Sequence, residues 1–198
     1  MPSHEYQDRL RKARELSAMK IHPHPARFES THSPKEATKL GEKITLRKID
    51  DIIKKGPKEE QVTVRGRVMT LREHGRLAFL TLQDFTGQIQ ICFMESILGK
   101  EKYKILKKID MGDFLGASGE LFVTRHGQLT VLVSKFTFLG KTLSPLPEKW
   151  HGLADEEAIY RQRYLDTLMN EGSLHRFLLR TKFINLIREY LNKNDFVE

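Results

Sequence analysis

The sequence predicts a mainly β fold with helices added at both ends, and three observations carry that prediction. From Gln61 to about Leu143 apolar residues recur with a period of two. On either side of that stretch they recur at helical spacing. Glycines punctuate the alternating stretch, as sharply bent strands require. A chain of 198 residues has room for one complete domain with attachments, at about 100 to 200 residues per domain.

Taken in order, the N-terminal helix is expected near residues 5–20. Tyr6, Leu10, Ala13 and Ser17 fall at helical spacing among Arg9, Arg11, Lys12 and Arg14, and His22-Pro23-His24-Pro25 stops the element. A second helix starts at Ser33, a cap-type residue followed by Pro34 and, three positions on, by Glu36. It should run to about Gly41. A third has Leu46, Ile49, Ile52 and Ile53 on one face and ends at Gly56-Pro57, before the charged connector Lys58-Glu59-Glu60.

Five strands follow. Val62, Val64 and Val68 alternate with Thr63, Arg65 and Arg67; Ala78, Leu80 and Leu82 share one face of a strand near 76–84; Ile89, Ile91 and Phe93 share one near 88–94. A helical pattern at 96–110, built on Tyr103, Leu106 and Ile109, interrupts before strands return at 113–124 and 128–140. Three strands, a helix and two strands over about 80 residues suit a five-stranded OB-fold barrel. After the stiff Pro145-Leu146-Pro147 link, Asp155 can cap a helix reaching about Met169, and Ser173 one reaching about Asn192. The last carries a broad apolar face: Leu174, Phe177, Leu178, Ile184, Ile187 and Leu191, widened by Phe183 and Tyr190. Such a face needs a partner surface. With a strand pattern opening at Phe196, the chain reads as part of a longer protein; a short protein that dimerises through this helix is the alternative.

Composition narrows function. With 39% hydrophobic and 30% charged residues the chain falls among globular proteins. No apolar run approaches the roughly 18 to 20 residues of a membrane span, and the first residues lack a signal-peptide pattern. A single cysteine, Cys92, excludes an internal disulfide and reads as a half-buried strand residue; a reducing cytoplasm is the expected compartment. A net charge of +8 favours a polyanionic partner, a soluble basic surface being the bland alternative.

The chemistry concentrates in the middle strands. If Gln83 opposes Gln88 across the turn Asp84-Phe85-Thr86-Gly87, then Leu82 opposes Ile89 and Leu80 opposes Ile91, with both apolar sets facing the core. On the other face Thr81 opposes Gln90 and Phe79 opposes Cys92, so an outward ring adjoins an amide, and Arg72 and Arg76 come to the same edge across the preceding hairpin. A base can stack on Phe79 for about 1 to 3 kcal/mol, while Gln90 and Arg72 can bond its edge or a phosphate. A ring covered by a loop or by the N-terminal helices is the competing reading. Other constellations are weaker. His22 and His24 lack clustered acids, so no metal is expected. The stretch 115–121 lacks the ending of a phosphate loop, and Asp50-Asp51 and Glu156-Glu157 read as solvated helix faces.

Residues 64–90 (VRGRVMTLREHGRLAFLTLQDFTGQIQ), 112–131 (GDFLGASGELFVTRHGQLTV) and above all 145–170 (PLPEKWHGLADEEAIYRQRYLDTLMN) resemble the class II lysyl-tRNA synthetase family. Tyr160 to Asp166 (YRQRYLD) favours the lysine enzymes over the related aspartate and asparagine ones. The resemblance implies an N-terminal helical extension at 1–60, an OB-fold anticodon-binding domain at 61–143, a linker and hinge helix at 144–172, and from 173 the start of a catalytic domain, whose motif 1 helix serves a homodimer interface. By motif position Phe79, Arg72 and Gln90 would read the central uridine of the tRNA(Lys) anticodon, with Gln128 and Arg76 beside them. Gln128 stands where the family usually has glutamate, and Thr167 where leucine is usual. The family activates lysine with ATP and Mg2+ and transfers it to tRNA; motifs 2 and 3, which carry that chemistry, are absent from these residues, so no catalytic residue and no cofactor are expected in this chain alone. A generic single-strand-binding OB module, an aspartyl- or asparaginyl-type fragment and a protein-interaction module are the other readings.

Overall fold

A computed structural model describes residues 3–56, 61–147 and 155–197. Pro57, the connector at 58–60 and the segment 148–154 lie outside them. The chain divides into two compact units, Met1–Pro145 and Leu146–Glu198. The helices expected within 1–60 belong to the first, together with all the strands.

The first unit is built on a ring of five strands: β2 (Val62–His74), β3 (Leu77–Gln83), β4 (Gln88–Met94), β5 (Phe114–Val123) and β6 (Leu129–Gly140). The antiparallel neighbours run β5-β2-β3-β4, and β6 closes the ring by pairing in parallel with β4 and antiparallel with β5. The β3–β4 register matches the sequence expectation pair for pair, Gln83 with Gln88 through Phe79 with Cys92. Inside the ring Val62, Val64, Leu80, Leu82, Ile91, Phe93, Leu115 and Val131 form the main core. Asp84 fixes the β3–β4 turn, its carboxylate accepting from the Thr86 and Gly87 backbone N–H groups at 2.6 and 3.2 Å. Gly119 is required by contact rather than by a turn: a Cβ there would lie 1.9 Å from the Leu132 carbonyl oxygen, where β6 crosses closest to β5.

Several expectations change. The two-residue strand β1 (Arg47–Lys48) pairs in parallel with β5, inside the stretch read as the start of the third helix, so α3 begins only at Ile49 (Ile49–Lys55). Its N-terminal neighbour Arg47 is held by Glu120 at 3.2 Å. The 96–110 segment forms α4 (Glu95–Leu98), α5 (Lys100–Ile105) and a 3-10 turn, because Gly99 at φ +80° breaks it. Helix α2 (Pro34–Lys43) has the expected capping box.

Helix α1 (His4–Ala18) turns a different face inward. Its buried residues are Arg9 and Leu16, whereas Ser17 is exposed. The cause is electrostatic. Arg9 donates to the Met111 and Thr142 carbonyls at 2.9 and 3.3 Å, Lys12 pairs with Asp110 at 2.6 Å, and Lys108 pairs with Glu15. Beneath them the fully buried Lys141 bonds Asp113 at 2.7 Å and also reaches Asp110. Burial alone would raise the Asp110 carboxyl, but hydrogen bonds from Lys12 and Lys141 hold it below its ordinary value.

In the second unit Asp155 caps α6 (Glu156–Arg161), accepting from Ala158 N at 3.0 Å. The helix does not continue to Met169: the chain bends at Gln162 into α7 (Arg163–Met169). Nor is Ser173 a cap. Helix α8 (Glu171–Lys193) begins after Asn170, and the buried Ser173 hydroxyl instead donates to Asp166 at 2.9 Å. Asp166 also accepts from Asn170 at 2.8 Å and from Arg163 at 2.9 Å, ties that hold its carboxyl below the ordinary value and join α7 to α8. Phe196 and Val197 are irregular rather than the onset of a strand.

Candidate functional site

Simple alternation from Val62 would point Arg72 into the core. A bulge in β2 between Val68 and Thr70 absorbs one residue and reverses the phase, so Val68 and Met69 are both buried and Thr70 and Arg72 turn outward. Two rows then cross the outer face. One runs Arg72, Phe79, Cys92, Leu132; the other runs Thr70, Thr81, Gln90, Thr130. The second row is tied by hydroxyls: Thr70 donates to Thr81 at 2.7 Å, and Thr130 donates to the Gln90 Oε1 at 2.7 Å. That bond fixes the amide. With Oε1 occupied, the Gln90 NH2 points both of its donors away from Thr130.

Phe79 does not stand free as its register implied. The ring is half-buried, packed with Ile49 and Leu77 against a second apolar cluster of Ile52, Cys92, Met94, Phe122 and Leu132. This small outer core exists because α3 lies over the end of the sheet and buries Ile52 completely. Cys92 is accordingly buried in full, not by half, and desolvation pushes its thiol up to about 12. It is packing material, with no reactive thiolate.

The uncovered side of Phe79 faces a half-enclosed cavity of about 510 Å³. Arg72, Phe79, Gln90 and Gln128 all line it. Gln128 arrives on the β5–β6 turn, which Gly127 at φ +79° and the Thr124 N–H to Gln128 carbonyl bond of 3.0 Å hold in shape. Arg76 is the exception. It sits at the tip of the two-residue β2–β3 turn, where Gly75 takes φ +62°. Its side chain is 84% exposed, 3.8 Å from Glu95, and lines a separate cavity.

Sequence reasoning missed the remaining walls. Ile49, Asp50 and Ile53 come from α3, and Arg125 and His126 from the β5–β6 turn, with Arg125 bonded to Asp50 at 2.9 Å. The apolar stripe of α3 was visible, but which surface it would cover depends on β1 fixing the helix to β5. Chemically the cavity offers a ring face, two free amide donors, an arginine with no ion pair among the described residues, and an apolar wall. It suits a flat heterocycle attached to a phosphate.

Comparison with known proteins bears on the same residues. Positions 62–139 match the tRNA anti-codon family model, described as an OB-fold nucleic acid binding domain. Nearly the whole chain is similar to curated proteins named lysine–tRNA ligase. That of Thermosipho africanus is 38% identical over 97% of this chain and 37% of its own length. That of Latilactobacillus sakei is 42% identical over 98% and 38%, and that of Bacillus subtilis 40% identical over 98% and 38%. The chain thus spans little more than a third of the relatives it matches.

Proposed function

We infer, from residues 62–139 belonging to the OB-fold nucleic acid binding domain family and the chain as a whole being homologous to the N-terminal part of lysine–tRNA ligases, that this protein recognises the anticodon of tRNA(Lys) for a lysine–tRNA ligase. The observation that carries the reading is the cavity that gathers Phe79, Arg72, Gln90 and Gln128 from four separate stretches of sequence. Phe79 stacks the central base. Gln90, its oxygen held by Thr130, donates to a carbonyl oxygen of that base. Uracil presents two carbonyl oxygens on its pairing edge, whereas cytosine presents one carbonyl and an amino donor, which the Gln90 NH2 and Arg72 would oppose. Gln128 supplies an acceptor at the cavity rim through its amide oxygen, without the charge of a carboxylate.

Ligation itself, with ATP and Mg2+, belongs to the whole enzyme. Homodimer formation in the whole enzyme would draw on α8, whose Phe183, Leu186, Ile187 and Tyr190 are exposed, and the segment from 173 onward would open its catalytic domain. A cytoplasmic setting agrees with a lone, buried Cys92 thiol.

The test is direct binding of labelled anticodon stem-loops differing only at the central base. Uridine should bind about 5- to 150-fold more tightly than cytidine, the scale of one lost base contact of about 1 to 3 kcal/mol. Equal affinity would leave a generic single-strand binder and sink the specific reading.

A further inference from the structure

The cavity at Phe79 does not end at Ile53. A second cavity, about 420 Å³, adjoins the first and shares Ile53, Leu77 and Met94 with it. Its remaining walls are Arg76, Glu95, Ser96, Gly99 and Lys100. Ile53 is 60% exposed, which is costly for an isolated isoleucine on a short helix but apt for a ridge between two occupied pockets. Leu77 and Met94 form the shared apolar floor, and they are directly paired across β3 and β4. One groove therefore runs from the β5–β6 turn, past Phe79, over the Ile53 ridge, to the start of α5.

We propose that this second pocket is a nucleotide subsite, holding the sugar and phosphate next to the base stacked on Phe79, with Arg76 and Lys100 contacting the phosphate. The assignment rests on the anticodon reading above. Charge sets its character. Arg76 and Lys100 outnumber Glu95 by one, so the pocket favours an anion, and Lys100 makes no ion pair among the described residues. Glu95 stands 3.8 Å from Arg76 and competes with the phosphate for it. A phosphodiester fits better than a base here: two cations on flexible stems can follow a backbone, while the apolar floor accepts the sugar. Ile53 separates the two nucleotides, which keeps the central base from stacking on its neighbour and leaves its faces to Phe79 and α3.

The experiment uses the whole chain and an anticodon stem-loop in which each loop phosphate is replaced, one at a time, by a neutral methylphosphonate. Wild-type protein should lose about fivefold at one phosphate adjoining the central base, and the doubly substituted R76Q/K100Q protein should bind the unmodified RNA about fivefold more weakly, lose about one phosphate from its salt dependence, and be indifferent to that replacement. E95Q should shift affinity the other way, binding more tightly. Both basic side chains are at the surface, so thermal unfolding of R76Q/K100Q should match wild type. The proposal is overturned if R76Q/K100Q binds like wild type or keeps the same sensitivity at every phosphate. F79L separates the two readings: if it weakens binding while R76Q/K100Q does not, the anticodon site stands and the second subsite falls; if F79L also binds like wild type, both fall.

Discussion

Replacing Phe79 tests packing and recognition together, and the structure lets the two be separated. A phenylalanine side chain can bury up to about 200 Å², of which Phe79 hides about two thirds or more, so at about 25 cal/mol per Å² its truncation to alanine should cost about 3 to 4 kcal/mol of stability. The loss would come from the outer cluster with Ile52, Cys92 and Phe122, not from the core inside the ring. Loss of stacking adds about 1 to 3 kcal/mol to the binding free energy, roughly 5- to 150-fold in affinity. F79L isolates the second quantity, since leucine keeps most of the apolar volume but has no π-face, and its stability loss should stay near 1 kcal/mol. Urea unfolding followed by circular dichroism gives the first number, and anisotropy with a uridine-centred stem-loop gives the second. F79L should bind both uridine- and cytidine-centred loops more weakly by similar factors, because stacking supplies affinity without identity. Wild-type affinity in a correctly folded F79L protein would refute the stacking platform outright.

Gln90 should show the opposite profile: Q90L removes the shorter of the two acceptors of the Thr130 hydroxyl and leaves it the Gln128 carbonyl at 3.2 Å, costs up to about 1 kcal/mol of stability, and narrows the preference for uridine over cytidine more than it lowers affinity for cytidine, measured with the same pair of stem-loops. K141M should destabilise the first unit by about 3 to 5 kcal/mol in urea unfolding, because it strands the buried Asp113 carboxylate; co-replacement as K141M/D113L should recover much of that loss. Asp166 gives a pH signature in the second unit. Its folded value is depressed, so the stability it contributes is present above its unfolded value, about 3.9, and is lost as pH falls through the folded value; D166N should flatten that acid limb, read by hydrogen exchange at α7 and α8.

The strands and their register were legible because alternation and turn chemistry are local, and Leu82-Ile89 and Leu80-Ile91 left one pairing that put both apolar sets inside. Arg72 was placed outward by counting back through the hairpin from Phe79, not by following β2, whose bulge at Met69 no alternation rule reveals. What escaped the sequence were the non-local packings. The apolar face of α3 could not by itself say that it would roof Phe79, since the two-residue pairing of Arg47 and Lys48 with β5 decides that. Ser173 misled for a related reason: a serine before an apolar run has the chemistry of a cap, but the helix begins two residues earlier, at Glu171, and the Ser173 hydroxyl donates back to Asp166 in α7 instead. The division of the site between α3, the β2–β4 face and the β5–β6 turn follows from ring closure, a contact between residues some 40 positions apart in sequence at Gln90 and Thr130.

Net charge was the least informative number, and the structure shows why. Arg9, Lys12, Lys108 and Lys141 hold α1 and the end of β6 to the 108–113 segment, and Arg47 is held by Glu120. These five cations are committed to the fold and contribute little to a polyanion approaching the groove. The groove itself presents Arg72, Arg76, Lys100 and Arg125, two of them already facing a carboxylate. About three neutralised phosphates at a single-strand slope of about 0.7 each give a log-affinity slope near −2 against log salt, so raising salt from about 50 to 200 mM should weaken the stem-loop by about 15-fold. D50N frees Arg125 from its ion pair and should steepen that slope by a fraction of a unit while tightening binding at low salt. A slope near −5 would contradict the account, for it would require the exposed basic residues of α1, Arg11 and Arg14, to reach the phosphates as well.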